Sequence, residues 1–367
     1  MNRREYLQAL GIGTVGLMSA PAWIGCRYPS NKPAKPMEAF RNGTWIGGHV
    51  GDGSIEDWKR KFKSLRVANI DAVLLQLDAA QLAPLIPVAA DEGIEIHAWM
   101  ATMMQAGMED EHHEWYVVNR NGDSAADKPA YVDYYKFMCP SRKPVLEHLE
   151  KQVTDLASID GLGSVHLDYI RYPDVILPIQ LWEKYGIVQD KEYPEYDYCY
   201  CEVCREQFRQ ESGVDPLEIE DPASHQPWLQ YRYDTITRVV NELAYVAHER
   251  DIPITAAVFP TPDIAKTLVR QDWVNWDLDA VMPMIYHSFY NEPVEWIEQA
   301  TREGVEALGG KMPVYAGLFI PALTPIELAQ AVQHSAAGGA RGVVLFEGKM
   351  PTDEHWSKFA AAVERVD

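Results

Sequence analysis

The residues with the clearest chemical potential lie in one short stretch, GSVHLDYIRYP, at positions 163–173. Its first half is mostly apolar and follows a glycine, and its end is a proline, which is typical of a buried strand that runs into a loop. Side chains alternate along a strand, so His166 and Asp168 share one face and Arg171 lies on the other. A carboxylate near the end of a buried strand is costly unless it is paired or works at a site. Asp168 is therefore the leading catalytic candidate, and the alternative is a pair with Arg171 that locks the loop.

Further candidate residues lie near the ends of the other predicted strands. Asp168 and Glu347 are two carboxylates at strand ends, and glycosidic hydrolysis uses one carboxyl group as an acid and another as a base or nucleophile. Aromatic rings and hydrogen-bonding groups between them would hold a sugar. We expect the substrate to be bound by His49, Asp78, His97, Trp99, His166, Arg171, Tyr172, Tyr286 and His287.

Several of these residues also have simpler structural interpretations. Asp78 could cap the helix that follows it, and His97 could be a hydrogen-bonded histidine of the core. Glu347 is followed by a glycine and a lysine, a pattern that also fits a surface loop. Asp263, which follows the fifth predicted strand, is interpreted first as a helix cap and only second as a reserve carboxylate.

These candidates are positioned by strands and helices that alternate through most of the chain. The predicted strands are apolar runs, as expected where both faces of a sheet are covered. They lie at 43–50, 71–77, 94–100, from 163 onward, 253–259, 280–286, 313–319 and 341–346. The predicted helices span 54–68, 82–92, 142–157, 228–249, 263–274, 292–308, 324–337 and 353–366. Eight such units predict an α/β fold, a (β/α)8 TIM barrel over residues 43–367, whose working groups lie at the C-terminal ends of the strands.

Two polar insertions interrupt this pattern, after strand three at 103–138 and after strand four at 174–226. The composition is otherwise that of an ordinary globular protein with a large core. The net charge of −21 argues against a nucleic-acid partner, because no basic stripe is present to displace counterions. The 11 tryptophans and 19 tyrosines could stack on sugar rings, although core packing accounts for many of them.

The first 26 residues have the pattern of an export signal. Arg3 and Arg4 precede a glycine-rich apolar run, as in twin-arginine signals, and the polar segment 27–42 fits a tether. The run is short, so a membrane-spanning helix is the weaker interpretation. Cleavage after Ala22 and a lipid anchor on Cys26 are both compatible with the sequence, and we favour the anchor. The expected location is the periplasm or the outer membrane, with membrane contact only through the lipid.

The cysteines form a second group that could bind a metal. Cys199, Cys201 and Cys204 follow a C-x-C-x2-C pattern in the second insertion, and Cys139 precedes the helix before strand four. Four thiols could hold a structural zinc ion, or form two disulfides in an exported protein. No HExxH-type spacing occurs, so a catalytic metal is less favoured, and no cofactor is expected to be required for catalysis.

Three motifs occur in order along the chain: HLDYIRYP at 166–173, QDWVNW at 271–276 with DAVMPMIY at 279–286, and GVVLFEGK at 342–349. Together they resemble bacterial family-10-like putative glycosyl hydrolases, which are often exported or lipid-anchored. The resemblance implies a TIM barrel that acts on a polysaccharide or glycoside, and it transfers one acidic residue, Asp168. The chain lacks the Asn-Glu pair after strand four and the glutamate after strand seven that serve the common retaining barrel glycosidases, so their mechanism does not carry over.

The sequence thus predicts an exported glycoside hydrolase with a carbohydrate substrate. One alternative is a carbohydrate-binding barrel without activity, which would keep the aromatic residues and need no carboxyl pair. The other is a metal-dependent sugar deacetylase that uses the histidines near the strand ends.

The export signal can be tested by changing Arg3 and Arg4 to lysine. The precursor should stay in the cytoplasm, because twin-arginine transport depends on this pair. Cell fractionation followed by immunoblotting measures the distribution, and normal export of the double variant would refute the twin-arginine interpretation. In the same assay, Cys26→Ala should release the protein from membranes; a wild-type protein that is already soluble would point to cleavage after Ala22 instead.

Overall fold

The computed structural model of the protein describes residues 41–47, 53–347 and 351–366. Within these ranges, eight parallel strands with intervening helices form one sheet. The strands are β1 (Asn42–Ile46), β2 (Ala72–Leu75), β3 (Glu95–Ala101), β4 (Ser164–Asp168), β5 (Ile254–Val258), β6 (Ala280–Pro283), β7 (Tyr315–Phe319) and β8 (Gly342–Phe346). The helices are α1 (Ile55–Val67), α2 (Ala79–Leu82), α3 (Ile86–Asp91), α4 (Lys143–Ala157), α5 (Trp182–Tyr185), α6 (Glu202–Ser212), α7 (Gln226–His248), α8 (Pro262–Val269), α9 (Trp296–Leu308), α10 (Pro325–Ala337) and α11 (Asp353–Val366).

The sheet closes into a barrel. Its strands pair in the order β6-β5-β4-β3-β2-β1-β8-β7, and β6 and β7 meet through backbone hydrogen bonds. The amide of Val281 donates to the carbonyl of Pro313 at 3.2 Å, and that of Ile285 donates to Gly317 at 2.9 Å. The predicted (β/α)8 barrel is therefore confirmed. Every strand is covered on both faces, which is why its sequence is apolar instead of alternating.

Helix ends follow local signals that the sequence shows in part. Ser54 caps α1 with a reciprocal bond to Asp57, as its position before the helix predicts. The predicted helix 82–92 is instead α2 and α3, which are separated around Pro84 because proline lacks the N–H that a continuous helix needs. The predicted helix 263–274 ends early, because Arg270 adopts a left-handed conformation with φ 59°. Within the described part of the chain, no helix has the length and apolar character to cross a membrane.

The interior of the barrel combines apolar and polar layers. Large side chains such as Trp45, Met282 and Tyr315 pack inside the sheet, and the opposite faces of the strands pack against the helices. The interior also contains fully buried polar groups, which are His97 on β3, Ser164 and His166 on β4, and Thr255 on β5. These groups hydrogen-bond to one another, so their burial is compensated.

The segments that follow β3 and β4 lie against each other. The amide of Tyr200 donates to the carbonyl of Val118 at 2.7 Å, and an antiparallel bridge joins Asn119 to Tyr198. The Asn119 side chain also donates to the Glu195 carbonyl at 3.1 Å. The two insertions predicted after these strands thus form one joined structure beside the C-terminal ends of β3 and β4.

The contact between β6 and β7 requires a glycine at position 317. A Cβ atom there would lie 2.8 Å from the carbonyl oxygen of Pro283 and 3.1 Å from the ring of Trp45. Gly317→Ala should therefore lower the free energy of unfolding by about 1–3 kcal/mol. Gly53→Ala is the control, because its nearest contact would be 3.5 Å away. Thermal unfolding measures both variants, and an unchanged midpoint for Gly317→Ala would show that the barrel closure relaxes without cost.

Candidate active site

Asp168 is the last residue of β4 and faces the interior of the barrel at its C-terminal end. Its side chain accepts two hydrogen bonds, one per oxygen: Nε1 of Trp99 donates to Oδ2 at 3.0 Å, and the amide of Tyr169 donates to Oδ1 at 2.6 Å. Tyr169 has φ 51°, so the chain turns away directly after the carboxylate. The side chain is almost fully buried, with 8% of its surface exposed. Asp168 thus lies at the mouth where TIM barrels keep their chemistry.

Burial is the main influence on the charge of this carboxyl group. Loss of hydration raises the pKa of Asp168, while the Tyr169 amide, the Arg171 charge and the Trp99 indole act in the opposite direction. The net result is a raised pKa. A carboxyl group whose pKa moves toward neutral pH can both give and take a proton more readily near that pH.

Aromatic rings form a floor beside Asp168, which we call the aromatic floor and define as Trp99, Tyr286, Phe319 and Phe346. The ring of Trp99 meets Phe346 edge-on, with 6.5 Å between the centroids. Phe346 stacks on Tyr286 and on Phe319, with 6.0 Å between the centroids in each pair. The floor therefore extends from β3 at the Asp168 side to β7 and β8 across the barrel.

Tyr286 connects this floor to the carboxylate electrostatically. Its pKa is raised well above the ordinary value, first by burial and then by the charges of Asp168 and Tyr169. The phenol therefore stays protonated and can donate a hydrogen bond. The next residue, His287, is buried and its pKa is lowered by burial, while the charges of Glu327 and Glu295 oppose that shift. Of the two, Tyr286 is the residue that the structure brings to the mouth.

Arg171 does not form the pair with Asp168 that was the structural alternative. Its guanidinium donates to Oδ2 of Asp174 at 2.8 Å and to the hydroxyl of Tyr135 at 2.8 Å. It also lies over the rings of Phe137 and Phe259, at 5.3 and 5.2 Å from their centroids. Arg171 thus forms an ion pair with Asp174 inside an aromatic cage, which fixes the loop after β4. It acts on Asp168 only through its charge.

Glu347 does not lie opposite Asp168 in the mouth, which corrects the predicted catalytic pair. Phe346 faces the interior, so the next residue faces the helices. Oε1 of Glu347 accepts from the hydroxyl of Thr44 at 3.0 Å, and the charge of Lys61 on α1 acts on it. Burial is the leading influence on both partners: it raises the pKa of Glu347 and lowers that of Lys61. Glu347 is thus a half-buried carboxyl group between the barrel and α1, hydrogen-bonded to Thr44 and within electrostatic reach of Lys61.

Two of the predicted substrate-binding histidines lie below the mouth. His166 accepts from Nε1 of Trp45 at 3.0 Å, so its proton is on Nδ1, which is 2.9 Å from the Thr255 hydroxyl. Burial holds the pKa of His166 well below its ordinary value, so the ring stays neutral. His97 pairs with Ser164 at 2.6 Å. Neither histidine has exposed surface, so we assign both to the interior and correct their predicted role.

The remaining predicted residues lie elsewhere. Asp78 caps α2 through the amide of Gln81, which is the simpler of its two interpretations. Tyr172 is buried beside the cysteine cluster instead of in the mouth. His49 lies outside the described residues. Of the predicted set, Asp168, Trp99 and Tyr286 are brought together at the mouth.

Sequence reasoning missed Phe319 and Phe346 as site residues. Each is the last residue of its strand, in runs that were interpreted as apolar strand cores. Their half-exposed positions reflect the end of the barrel, where an interior ring meets the mouth. The signal available was their place as the final aromatic residue of an apolar run.

Comparison with known proteins supports the fold. No protein-family model matches the chain, and no curated protein matches it. Similar solved structures include the PgaB (BpsB) glycoside hydrolase domain from Bordetella bronchiseptica, with 11% identity, a TM-score of 0.66, and coverage of 89% of this chain and 98% of that chain. The catalytic domain of β-amylase from Paenibacillus polymyxa has 11% identity and a TM-score of 0.60, with coverage of 91% and 100%.

A β-galactosidase from the Antarctic haloarchaeon Halorubrum lacusprofundi is also similar, with 14% identity and a TM-score of 0.66. Here 89% of this chain is covered but only 58% of the β-galactosidase, so the chain spans little more than half of that enzyme. These likenesses show that the chain has the barrel fold of glycoside hydrolase domains.

Trp99→Phe tests the hydrogen bond that the indole donates to Asp168. The variant keeps an aromatic ring but loses the donor that lowers the pKa of the carboxyl group, so the limb of the pH–rate profile due to Asp168 should move to higher pH. If the site hydrolyses a glycan, catalytic efficiency should fall about 10- to 150-fold, since a hydrogen bond to a charged group contributes about 1.5–3 kcal/mol. Trp276→Phe is the control, because it removes an indole bond, to the Thr237 hydroxyl, that lies before β6 and away from the mouth. An unmoved limb in Trp99→Phe would contradict the assignment.

Proposed function

We propose that the protein hydrolyses O-glycosidic bonds of a polysaccharide or glycoside, with Asp168 as the principal acid–base or nucleophilic group. The observation that carries this proposal is a buried carboxyl group at the end of β4, held by two N–H donors beside an aromatic floor. A carboxyl group with a raised pKa and aromatic surface for the sugar are two of the elements that glycoside hydrolysis uses, beside a second carboxyl group. The motifs that resemble family-10-like glycosidases support the same proposal.

The arrangement suggests how a sugar would be held. An aromatic ring binds the apolar face of a pyranose through its own apolar face, and the half-exposed Trp99, Phe319 and Phe346 offer such faces at the mouth. The protonated phenol of Tyr286 would donate a hydrogen bond to a sugar hydroxyl or ring oxygen. The carboxyl group of Asp168 would then exchange a proton with the leaving oxygen or act at the anomeric carbon.

Two other functions make different demands on the same residues. A carbohydrate-binding barrel would need the aromatic floor but no reactive carboxyl group. It would not explain why the costly burial of Asp168 is retained. A sugar deacetylase would need histidines and carboxylates gathered around a metal, whereas within the described residues such a gathering is found for the cysteines. The two adjacent histidines of the first insertion contact other side chains instead: His112 stacks on Trp115, and His113 contacts Asp127.

We also propose that the protein works outside the cytoplasm, on the strength of Arg3, Arg4 and the apolar run that follows. These residues, and Cys26 with them, lie outside the described part of the chain. An exported location suits a substrate too large to enter the cell, and the fractionation of the lysine double variant tests it.

Asp168→Asn separates a catalytic role from a structural one. After a glycan screen with product analysis has identified a cleaved substrate, turnover should fall 100-fold or more, about 2.7 kcal/mol in barrier, because the variant cannot carry the charge or transfer the proton. The thermal midpoint should change little. A large loss of midpoint with near-normal turnover would make Asp168 structural, and unchanged glycan binding with no hydrolysis by either form would favour the binding barrel.

Glu347→Gln is the matched control. It also removes a carboxyl group with a raised pKa from a strand end, but a half-buried one that faces α1, so activity should stay within a few-fold of wild type. A loss equal to that of Asp168→Asn would restore the carboxyl pair predicted from the sequence.

The pH dependence of stability gives a second readout on the same variant. A raised pKa means that the folded state holds the Asp168 proton more tightly than the unfolded chain does. This contribution is complete below the ordinary value of 3.8 and is lost as the pH rises through the raised value. The stability of wild type relative to Asp168→Asn should therefore fall as the pH rises above 3.8, until the folded state has also lost the Asp168 proton.

A further inference from the structure

Four cysteines from distant parts of the chain converge at one buried point. The Sγ atoms of Cys139, Cys199, Cys201 and Cys204 all lie within 4.8 Å of one another, and all four residues are buried. Cys139 directly follows the insertion after β3, and the other three lie in the insertion after β4, with Cys199 and Cys201 before α6 and Cys204 within it. We define these four residues as the thiol cluster.

The distances within the thiol cluster fit ligands of one ion. Sγ of Cys139 lies 3.6 Å from Sγ of Cys201 and 3.5 Å from Sγ of Cys204. A disulfide would require about 2.05 Å. A tetrahedron with zinc–sulfur bonds of about 2.3 Å has sulfur–sulfur edges of about 3.8 Å. Two disulfides would bring the sulfurs together only in pairs, whereas the structure brings all four Sγ atoms to a common centre.

The groups around the thiol cluster are ones that would stabilise thiolates. The amide of Val118 lies 3.4 Å from Sγ of Cys199. Cys201 is also the N-cap of α6, where the helix dipole favours negative charge. The hydroxyl of Ser141 lies 3.3 Å from Sγ of Cys204 and can donate to a thiolate there. Such donors orient and support the ligands of metal sites.

We propose that the thiol cluster binds one zinc ion as a structural tetrathiolate site. The four thiols release their protons as the four Zn–S bonds form, so the bound site carries a net charge of −2. Four buried sulfur ligands in a tetrahedron leave no position for water or substrate, which is the mark of a structural zinc site instead of a catalytic one. This inference does not depend on the proposed glycosidase function.

The zinc site would fasten three segments of the mouth together. It joins the end of the insertion after β3, through the adjacent Cys139, to the insertion after β4, through Cys199 and α6. The loop that follows Asp168 is the third segment, because it is hydrogen-bonded to the insertion after β3: the guanidinium of Arg171 donates to the hydroxyl of Tyr135, and the hydroxyl of Tyr131 donates to the carbonyl of Asp174 at 2.7 Å. Zinc binding therefore stabilises the loop that carries the Arg171 cage.

The test begins with the full chain purified anaerobically, without added reductant or metal, so that any disulfides present survive. Elemental analysis should find about one zinc per chain. Protein produced in zinc-depleted medium with cobalt should show the intense visible absorption of tetrahedral cobalt and the thiolate-to-cobalt charge-transfer bands. These measurements use wild-type protein, so they do not depend on whether a cysteine variant folds. Iron with sulfide in place of zinc, or no bound metal with two disulfides found by mass spectrometry, would overturn the proposal.

Variants and exchange measurements test the structural role. Cys204→Ser should lose most of the zinc and lower the thermal midpoint, while Cys26→Ser, which changes the fifth cysteine of the chain, should retain the metal. Removal of zinc from wild type with a mercurial reagent and a chelator should increase amide hydrogen exchange in residues 169–178 and 115–139. Exchange in β6, β7 and β8 should stay unchanged. Equal exchange in the two loops with and without zinc would refute the fastening role.

Discussion

The mouth of this barrel depends on how one carboxylate is kept inside it. Burial of a charge is costly unless hydrogen bonds replace its water, and Asp168 receives one donor on each oxygen. One donor is a side chain of the neighbouring strand, and the other is the backbone of the next residue. The parallel register of β3 and β4 sets Trp99 level with His166, so the indole reaches forward by one interior position to Asp168. A change in that register would remove the donor.

The fold was predictable because its determinants are local and repeated. Apolar runs bounded by glycine, proline and polar residues occur eight times with helical patterns between them, and burial on both faces is what produces such runs. The errors in helix bounds have local causes as well. Pro84 divides one helix, and the left-handed Arg270 ends another, and a pattern of apolar periodicity records neither.

The site was predictable only in part. When both faces of a strand are apolar, the sequence does not show which residues face the barrel interior and which face the helices. Asp168 and Glu347 both follow apolar runs, yet one faces the interior and the other faces α1. A difference of one residue in register decides between them, and Phe346 occupies the inward position that Glu347 was expected to fill. The cage of Arg171 depended on Tyr135, which lies 36 residues away, and no local pattern predicts that contact.

The polar layer beneath the mouth explains why this carboxylate can be held in place without a charged partner of its own. Trp45, His166 and Thr255 form a chain of hydrogen bonds across the interior, with His97 and Ser164 beside it. Hydrogen bonds have directional geometry, so this layer fixes β3, β4 and β5 relative to β1 more narrowly than apolar packing alone would. Because β4 also carries Asp168 and β3 carries Trp99, the layer holds the donor and the acceptor of the mouth at their bonding distance. The two histidines that the sequence predicted to bind substrate, His97 and His166, thus lie in this polar layer below the mouth. There they help to fix the position of Asp168, the group that would contact the substrate.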